Sequence, residues 1–335
     1  MRILVTGGAG YIGSHLARRL RSRGDDVVVF DDLSAGSPDA IPGIDLIEGT
    51  VVDRAGVLDA LRTSRAQAIV HLAALKSVEE SVVQPERYFK VNVSGTLAVL
   101  GAAADAGVRT IVYSSSCAVY GTPDRTPVDE AAALHPDNPY GESKLLGERL
   151  LPWFERRFGV RFASLRYFNV AGADESGDYG EDWAQATTLI PRALKAALGH
   201  GPPVSVFGTD YPTLDGTAIR DFIDVDDLVD AHLAAVDRLA AGEASLTVNL
   251  GTGRGNSVRE VLDAITALTG QPVPSVDAPR RAGDPPVVWA DPSSAATILD
   301  WRARHDLSHM IQTAWRWHSR HPQGYVAPPV PVTSP

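Results

Sequence analysis

Residues 2–15 read RILVTGGAGYIGSH. A short apolar run stops at a pair of glycines, and helical spacing begins at once, with Ile12, Leu16 and Leu20 on one face. Gly7, Gly10 and Gly13 thus follow G-x-x-G-x-x-G between a strand and a helix. Gly7 permits the tight turn, Gly10 lets backbone approach a diphosphate, and Gly13 lets helix pack close to strand, while the helix N-terminus faces the phosphates. A plain turn built from small residues is the alternative. The next apolar run, VVVF at 27–30, is stopped by Asp31 and Asp32. An acid at this distance from the glycines can accept hydrogen bonds from an adenosine ribose and would repel a 2′-phosphate, which favours NAD over NADP. Asp31 as a simple strand end is the plainer reading.

The same alternation continues. AIVHLAA (68–74) and TIVYSSS (110–116) repeat the strand pattern, and SGTLAVLGAAADAG (94–107) between them is a helix ending at Gly107. Strands alternating with helices imply an α/β fold of the Rossmann type, a doubly wound parallel sheet with helices on both faces. Near residue 170 the character changes. AGADESGDYGEDW (171–183) is rich in glycine and acid, and shorter strand-like pieces (VSVFG, TVNLG) then alternate with helices. We expect a dinucleotide domain from 1–170 plus about 221–250, a smaller C-terminal α/β substrate lobe from about 171–220 and 255–325, and a loose Pro-rich tail at 326–335. A ligand should lie between the lobes, above the carboxyl ends of the strands.

PYGESK at 139–144 places Tyr140 four residues before Lys144, on one helix face, behind a proline that suits a helix start. A free tyrosine ionises near pH 10, too high for a base at neutral pH, but a nearby lysine and a cationic nicotinamide would both favour phenolate. The strand at 110–116 ends in Ser114, Ser115 and Ser116, where a parallel sheet places chemistry. A serine there can hold a substrate oxygen or relay its proton. Alone, Y-x-x-x-K usually marks a solvated helix face. With the glycine turn and the serine strand it reads as a catalytic set.

Composition removes other classes. The net charge is −10 and no basic run stands out, so nucleic acid and anionic membranes are not expected partners. No stretch has the length of a transmembrane helix or the form of a signal peptide, which suggests a soluble cytoplasmic protein. The single cysteine, Cys117, excludes an intrachain disulfide and suits a reducing compartment. It reads as a small buried hydrophobe rather than a redox thiol. The nine histidines show no metal-ligand spacing, and no metal is expected.

TGGAGYIGSH, SSSCAVYG, PYGESK and LRYFNVAGA resemble the extended short-chain dehydrogenases/reductases. HLAALKSVEESV, SGDYGED, DYPTLDGTAIRDFIDVDDL, NLGTGRGNSV and APRRAGDPP narrow the resemblance to the UDP-glucose 4-epimerase family, over nearly the whole chain. The resemblance implies a tightly held NAD that is not consumed. Tyr140 would be the base toward the sugar 4-hydroxyl, Ser116 would bridge or relay the proton, and Lys144 would bind the nicotinamide ribose and lower the tyrosine pKa. A hydride would leave sugar carbon 4, the keto sugar would turn over, and hydride and proton would return to the other face. Cofactor contacts implied are Gly7, Gly10, Tyr11, Ile12, Gly13, Asp31, Asp32, Leu33, Ser34, Gly36, Thr50, Val51, Leu72, Ala73, Ala74, Lys76, Asn92 and Phe168. Substrate contacts implied are Ser116, Tyr140, Asn169, Thr188, Leu189, Val206, Phe207, Arg220, Arg281, Asp284 and Val288, with the two arginines clamping the diphosphate. A two-fold homodimer through helices at about 85–105 and 141–157 is also implied, using Val99, Leu145, Leu146 and Leu150 unless those faces are core.

Four positions depart from the family pattern. Ala118 stands where threonine is common, Thr50 where an aspartate contacts adenine, and Thr187 and Thr188 where asparagines are frequent. Val288 stands where members confined to plain hexoses tend to hold tyrosine, so UDP-N-acetylgalactosamine is an expected second substrate. A 4,6-dehydratase of the same fold would carry Asp-Glu where this chain has Cys117 and Ala118. A uronic-acid epimerase would need further donors for the carboxylate. A dinucleotide-sensing regulator would often lack the Tyr and Lys that are present here.

Overall fold

The computed structural model describes residues 1–183, 186–281 and 283–325. The expected tail at 326–335 lies outside them. Six strands come first: β1 (Arg2–Thr6), β2 (Asp26–Asp31), β3 (Asp45–Glu48), β4 (Ala68–His71), β5 (Thr110–Ser116) and β6 (Arg161–Tyr167). Three that lie elsewhere follow, β7 (Asn169–Ala171), β8 (Val204–Phe207) and β9 (Ile219–Asp224), and β10 (Leu246–Leu250) then rejoins the first six. The seven make one parallel sheet in the order β10-β6-β5-β4-β1-β2-β3. The order reverses at β1, which has β4 on one side and β2 on the other, so a crevice opens beyond its carboxyl end.

Alternate residues along each strand feed two cores. Ile3 and Val5 of β1 face helices α1 (Tyr11–Ser22) and a later helix that supplies Leu228, Val229, Val236 and Leu239. Leu4, Ile69 and Ile111 face the other way, against Val57 and Leu61 of α2 (Arg54–Ser64) and Val99 and Leu100 further on. Burial on both faces explains why these strands read as unbroken apolar runs.

A helical run fills residues 78–106: α3 (Val78–Val83), α4 (Pro85–Tyr88), a wider π-helical turn at Phe89–Ser94, and α5 (Gly95–Ala106). The long α6 (Pro139–Phe158) begins where Asn138 caps the Gly141 amide at 2.9 Å, and it ends at Gly159 with φ +68°. The remaining helices are α7 (Leu189–Ala197), α8 (Val225–Ala240), α9 (Val258–Thr269), α10 (Ser293–Ile298) and α11 (Leu307–Arg320).

The smaller part has its own core. Ile190 and Leu194 of α7, Val204 and Val206 of β8, Val261 and Ile265 of α9, and Met310 and Ile311 of α11 pack together. Strand β9 pairs with β7, with β11 (Gly255–Ser257) and with β13 (Val287–Val288), while β12 (Ser275–Ala278) pairs with β8. Two stretches sit differently from the sequence-based boundaries. Strand β9 joins the small sheet although it leads into α8 on the large one, and Ala295, Leu299 and Trp301 pack in the large-sheet core. The Trp301 indole donates to the Asp227 carbonyl at 2.8 Å, which ties this returning segment to α8.

The helix faces expected at a dimer contact also need correction. Val99 and Leu145 are each 1% exposed and belong to the chain's own core, whereas Leu97 (47%), Trp153 (65%) and Phe158 (40%) are the large apolar groups left in the open. Among the described residues no helix is long and apolar enough to cross a membrane.

Candidate active site

The glycine turn fills the end of β1. A Cβ on Gly13 would lie 2.1 Å from the Gly7 carbonyl oxygen, and one on Gly7 (φ +72°) would lie 2.6 Å from the Ala73 amide nitrogen. At Gly10 the nearest such contact is 3.4 Å, an ordinary van der Waals distance, so this glycine is the least crowded of the three. Gly10 is also the N-cap of α1 and offers no side-chain acceptor to the first-turn amides. Uncapped amides beside an uncrowded glycine form a cradle for an anion.

Asp31 is buried, accepting from the Ala9 and Leu33 amides, both at 2.9 Å. Burial raises its pKa and the backbone donors oppose the shift. Asp32 is exposed and accepts from the Ser34 amide at 3.0 Å. Leu33, with φ +56°, turns the loop so that Gly36 comes down on Ala9, and the Ser37 amide bonds the Ala9 carbonyl at 3.0 Å. On the other flank, the Leu72 and Ala73 amides both bond the Thr6 carbonyl at 3.0 Å, leading into Ala74. Val51 is buried and Thr50 half-buried at the end of the β3 connection.

Not every expected contact faces the crevice. The Tyr11 hydroxyl donates to the Gly172 carbonyl at 2.7 Å, and Ile12 packs on the large-sheet core. Their backbone, not their side chains, borders the glycine turn. Asn92 is fully buried: its amide group accepts from Leu75 N at 2.8 Å and donates to Leu75 O and to the Ser143 hydroxyl. It therefore pins the 75–76 backbone to α6. Val206 lies in the small core, whereas Phe207 points out beneath Arg281, whose guanidinium stands 3.7 Å from the ring centroid.

Ser116 ends β5, and Tyr140 and Lys144 lie one turn apart on α6. Burial pushes the Tyr140 phenol up to about 12, and a hydrogen bond with the Ser116 side chain works against that. Burial pulls the Lys144 ammonium down to about 7, opposed by the charge of Glu148. Lys144 Nζ donates to the Ser114 carbonyl at 2.8 Å. Nearby, burial and Lys144 together hold the His71 ring near 3, neutral, between the hydroxyls of Thr6 (2.7 Å) and Thr96 (3.1 Å).

Sequence reasoning missed the group behind this set. Glu148 is four residues after Lys144, so Tyr140, Lys144 and Glu148 share a face. Its carboxylate takes Arg166 Nε at 2.9 Å and Nη2 at 2.6 Å, and also accepts from the Ser164 and Ser115 hydroxyls. The spacing from Tyr140 was legible; the partner Arg166 on β6 was not.

Across the crevice, Arg220 of β9 pairs with Asp284, and Arg281 pairs with Glu79 at 2.8 Å. Lys76 pairs with the buried Glu181 at 2.8 Å. Asn169 begins β7 opposite Phe222, and Val288 of β13 stands opposite Arg220. Val288 is buried with Phe168, Ala290 and Cys117. Cys117 thus behaves as a small apolar group, its thiol pushed up to about 12 by burial. Thr188 stands at the N-cap position of α7, just before Leu189, without making a capping bond, and its hydroxyl is buried without a hydrogen-bond partner.

A profile of the NAD dependent epimerase/dehydratase family matches residues 3–251. The chain belongs to the NAD dependent epimerase/dehydratase family. Within known members, a UDP-glucose 4-epimerase of Lactobacillus helveticus is 43% identical over 327 residues, 97% of this chain and 99% of the relative. The fold superposes on UDP-glucose 4-epimerase from Brucella ovis in complex with NAD at TM-score 0.91, with 44% identity, over 93% of this chain and 97% of that one. It superposes on the Bifidobacterium longum UDP-glucose 4-epimerase in complex with NAD+ and UDP at TM-score 0.92, with 37% identity, over 96% and 99% of the two chains.

Proposed function

We propose that this protein interconverts UDP-galactose and UDP-glucose, inverting sugar carbon 4 with a resident NAD. The observation that carries the reading is that Ser116, with Tyr140 and Lys144 beside it, and the uncapped glycine turn both lie at the carboxyl ends of strands of one parallel sheet. The cradle fits a dinucleotide. Gly10 leaves room for the diphosphate, the first-turn amides of α1 can donate to it, and Asp31 is held to accept from a ribose. NAD, when bound, supplies a hydride acceptor that can return the hydride to the opposite face of the sugar.

The chain's residues do the rest. With its phenol near 12, Tyr140 is protonated in the ligand-free protein and holds a proton rather than taking one. Charged Lys144 close by favours the phenolate, and Glu148 favours charged Lys144. Ser116 touches Tyr140 and can pass the sugar hydroxyl proton to it. Arg220 and Arg281 are the donors for the UDP diphosphate, with Phe207 as an apolar platform. Thr188 Oγ1, buried and unpaired, is positioned to meet a polar ligand atom. A fixed nucleotide and a free sugar let the keto sugar present either face.

Val288 supports a finer reading. Val288 packs with Phe168, Ala290 and Cys117 and is a smaller side chain than tyrosine, and on that ground N-acetylated UDP-hexosamines are included among the substrates. Exposed Leu97, Trp153 and Phe158 on the α5–α6 face support a two-fold homodimer through those helices. A single cysteine supports a reducing, cytoplasmic setting.

The test is direct. Purified protein is incubated with UDP-galactose without added NAD, and the nucleotide sugars are separated by chromatography. UDP-glucose should appear. No conversion, even with NAD supplied, would remove the plain-hexose reading.

A further inference from the structure

Asp224 ends β9 and caps α8 through its Oδ1, which accepts from the Asp226 amide at 2.9 Å. Its side chain is fully buried, yet Oδ2 has no hydrogen-bond partner. A buried carboxylate oxygen without a donor is costly and calls for a partner. Oδ2 faces Gly172, and two imidazoles stand on the Oδ1 side of the same carboxylate. His305 precedes α11 and His309 lies in its first turn, with the rings stacked at 4.0 Å and 18°. One ligand atom from each of Asp224, His305 and His309 lies within 4.8 Å of the other two. His305 Nδ1 is 3.7 Å from Asp224 Oδ1 and 3.1 Å from Asp227 Oδ1, out of line for a hydrogen bond to either.

Both histidine backbones are already held. The His305 amide donates to Asp227 Oδ2 at 2.9 Å, and the His309 amide donates to the Asp306 cap at 2.9 Å. Asp227 itself is buried and also takes the Arg304 amide and guanidinium. The backbones that carry the two imidazoles are therefore fixed, while the rings themselves remain free to turn.

We propose that Asp224, His305 and His309 form a binding site for a divalent cation of the zinc type, joining the β9–α8 junction to α11. Two neutral imidazoles and one carboxylate suit zinc, with water completing the tetrahedron. Ligand atoms around zinc stand about 3.3 Å apart and an imidazole lone pair lies in its ring plane, so on binding the two stacked rings must rotate about their side-chain bonds until both planes meet at the ion. Because α8 packs on the large sheet and α11 in the small core, the ion staples the two parts together. The inference is independent of the sugar chemistry, since none of the three residues belongs to the catalytic set.

The probe is Co2+, followed by Zn2+, titrated into chelator-treated full-length protein. Wild type should show one saturable site with visible Co2+ absorption bands of a tetrahedral centre, displaced by Zn2+, and zinc should raise its melting temperature. His309→Gln should weaken binding about 100-fold, and His305→Gln/His309→Gln should abolish it together with the thermal shift. Asp224 is left intact because it caps α8. Absence of saturable binding in wild type, or equal binding in the double variant, would overturn the proposal.

Discussion

Glu148 and Arg166 are the buried ion pair behind the catalytic lysine, with side chains 9% and 6% exposed. Replacing Glu148 with alanine leaves Arg166 charged and nearly buried, facing only the Tyr120 hydroxyl at 2.9 Å. Removing one partner of a buried pair costs about 3–5 kcal/mol. Unfolding entropy of about 2.1 cal/mol/K per residue gives roughly 0.7 kcal/mol/K for a chain of this length, so the melting temperature should fall by about 4–7 °C. Replacing both partners by apolar groups of similar volume should recover most of that loss, because neither charge is then stranded. The assay is thermal unfolding of Glu148→Ala, Arg166→Met and Glu148→Leu/Arg166→Met, with NAD in saturating excess so that cofactor occupancy is constant. A single-variant shift below about 2 °C, or a double variant that melts at the sum of the two losses, would refute the reasoning.

Tyr140→Phe should keep the chain folded and the cofactor bound while turnover falls by about 10²–10⁴-fold, read by sugar chromatography beside the absorbance of released NAD. In the cofactor-free protein, burial holds Lys144 near 7 against a normal 10.5, so the unfolded chain binds the extra proton between those values. Stability should therefore rise with pH from about 7 toward 9.5, and Lys144→Met should flatten the rise in urea midpoints; an unchanged slope would count against the assignment. Val288→Tyr should lower the ratio of UDP-N-acetylgalactosamine to UDP-galactose turnover, and an unchanged ratio would show that neighbouring loops set the choice. Trp153→Asp should shift the protein toward monomer in sizing chromatography while the secondary-structure signal stays constant.

The glycine turn and the parallel sheet were legible in the sequence because each rests on local rules. A strand buried on both faces reads as an unbroken apolar run, and β4 and β5 are buried along their whole length. Tyr140 and Lys144 were legible because helical spacing alone puts them on one face. What was hidden depends on pairing across distance. Arg166 is eighteen residues from Glu148, on a strand that the sequence reading did not single out, and nothing local says its charge turns inward. Val99 and Leu145 have the apolar spacing of an interface, and only packing shows them in the core with Trp153 left outside. His305 and His309 are four apart, a usable ligand spacing that sequence reading passed over because Asp224 comes from a strand 81 residues earlier.

If the diphosphate binds as proposed, the arrangement of the cations explains how an acidic chain can hold it. Lys76, Arg220 and Arg281 border the crevice, and each is already paired, with Glu181, Asp284 and Glu79 respectively. An unpaired arginine at a half-buried site would be costly before the ligand arrives. A carboxylate partner removes that cost but competes with the phosphates. Binding therefore exchanges one anionic partner for another instead of creating new ion pairs. Of the three, Arg281 has the most exposed partner, since Glu79 is 61% exposed against 30% for Asp284 and 6% for Glu181. An exposed pair is the weakest, so on the proposed reading Arg281 is the cation that would turn to an incoming diphosphate at least cost. Glu181 is the least solvated anion and the least able to give up its partner. Lys76 is thus held by a partner far less solvated than the Glu79 that holds Arg281.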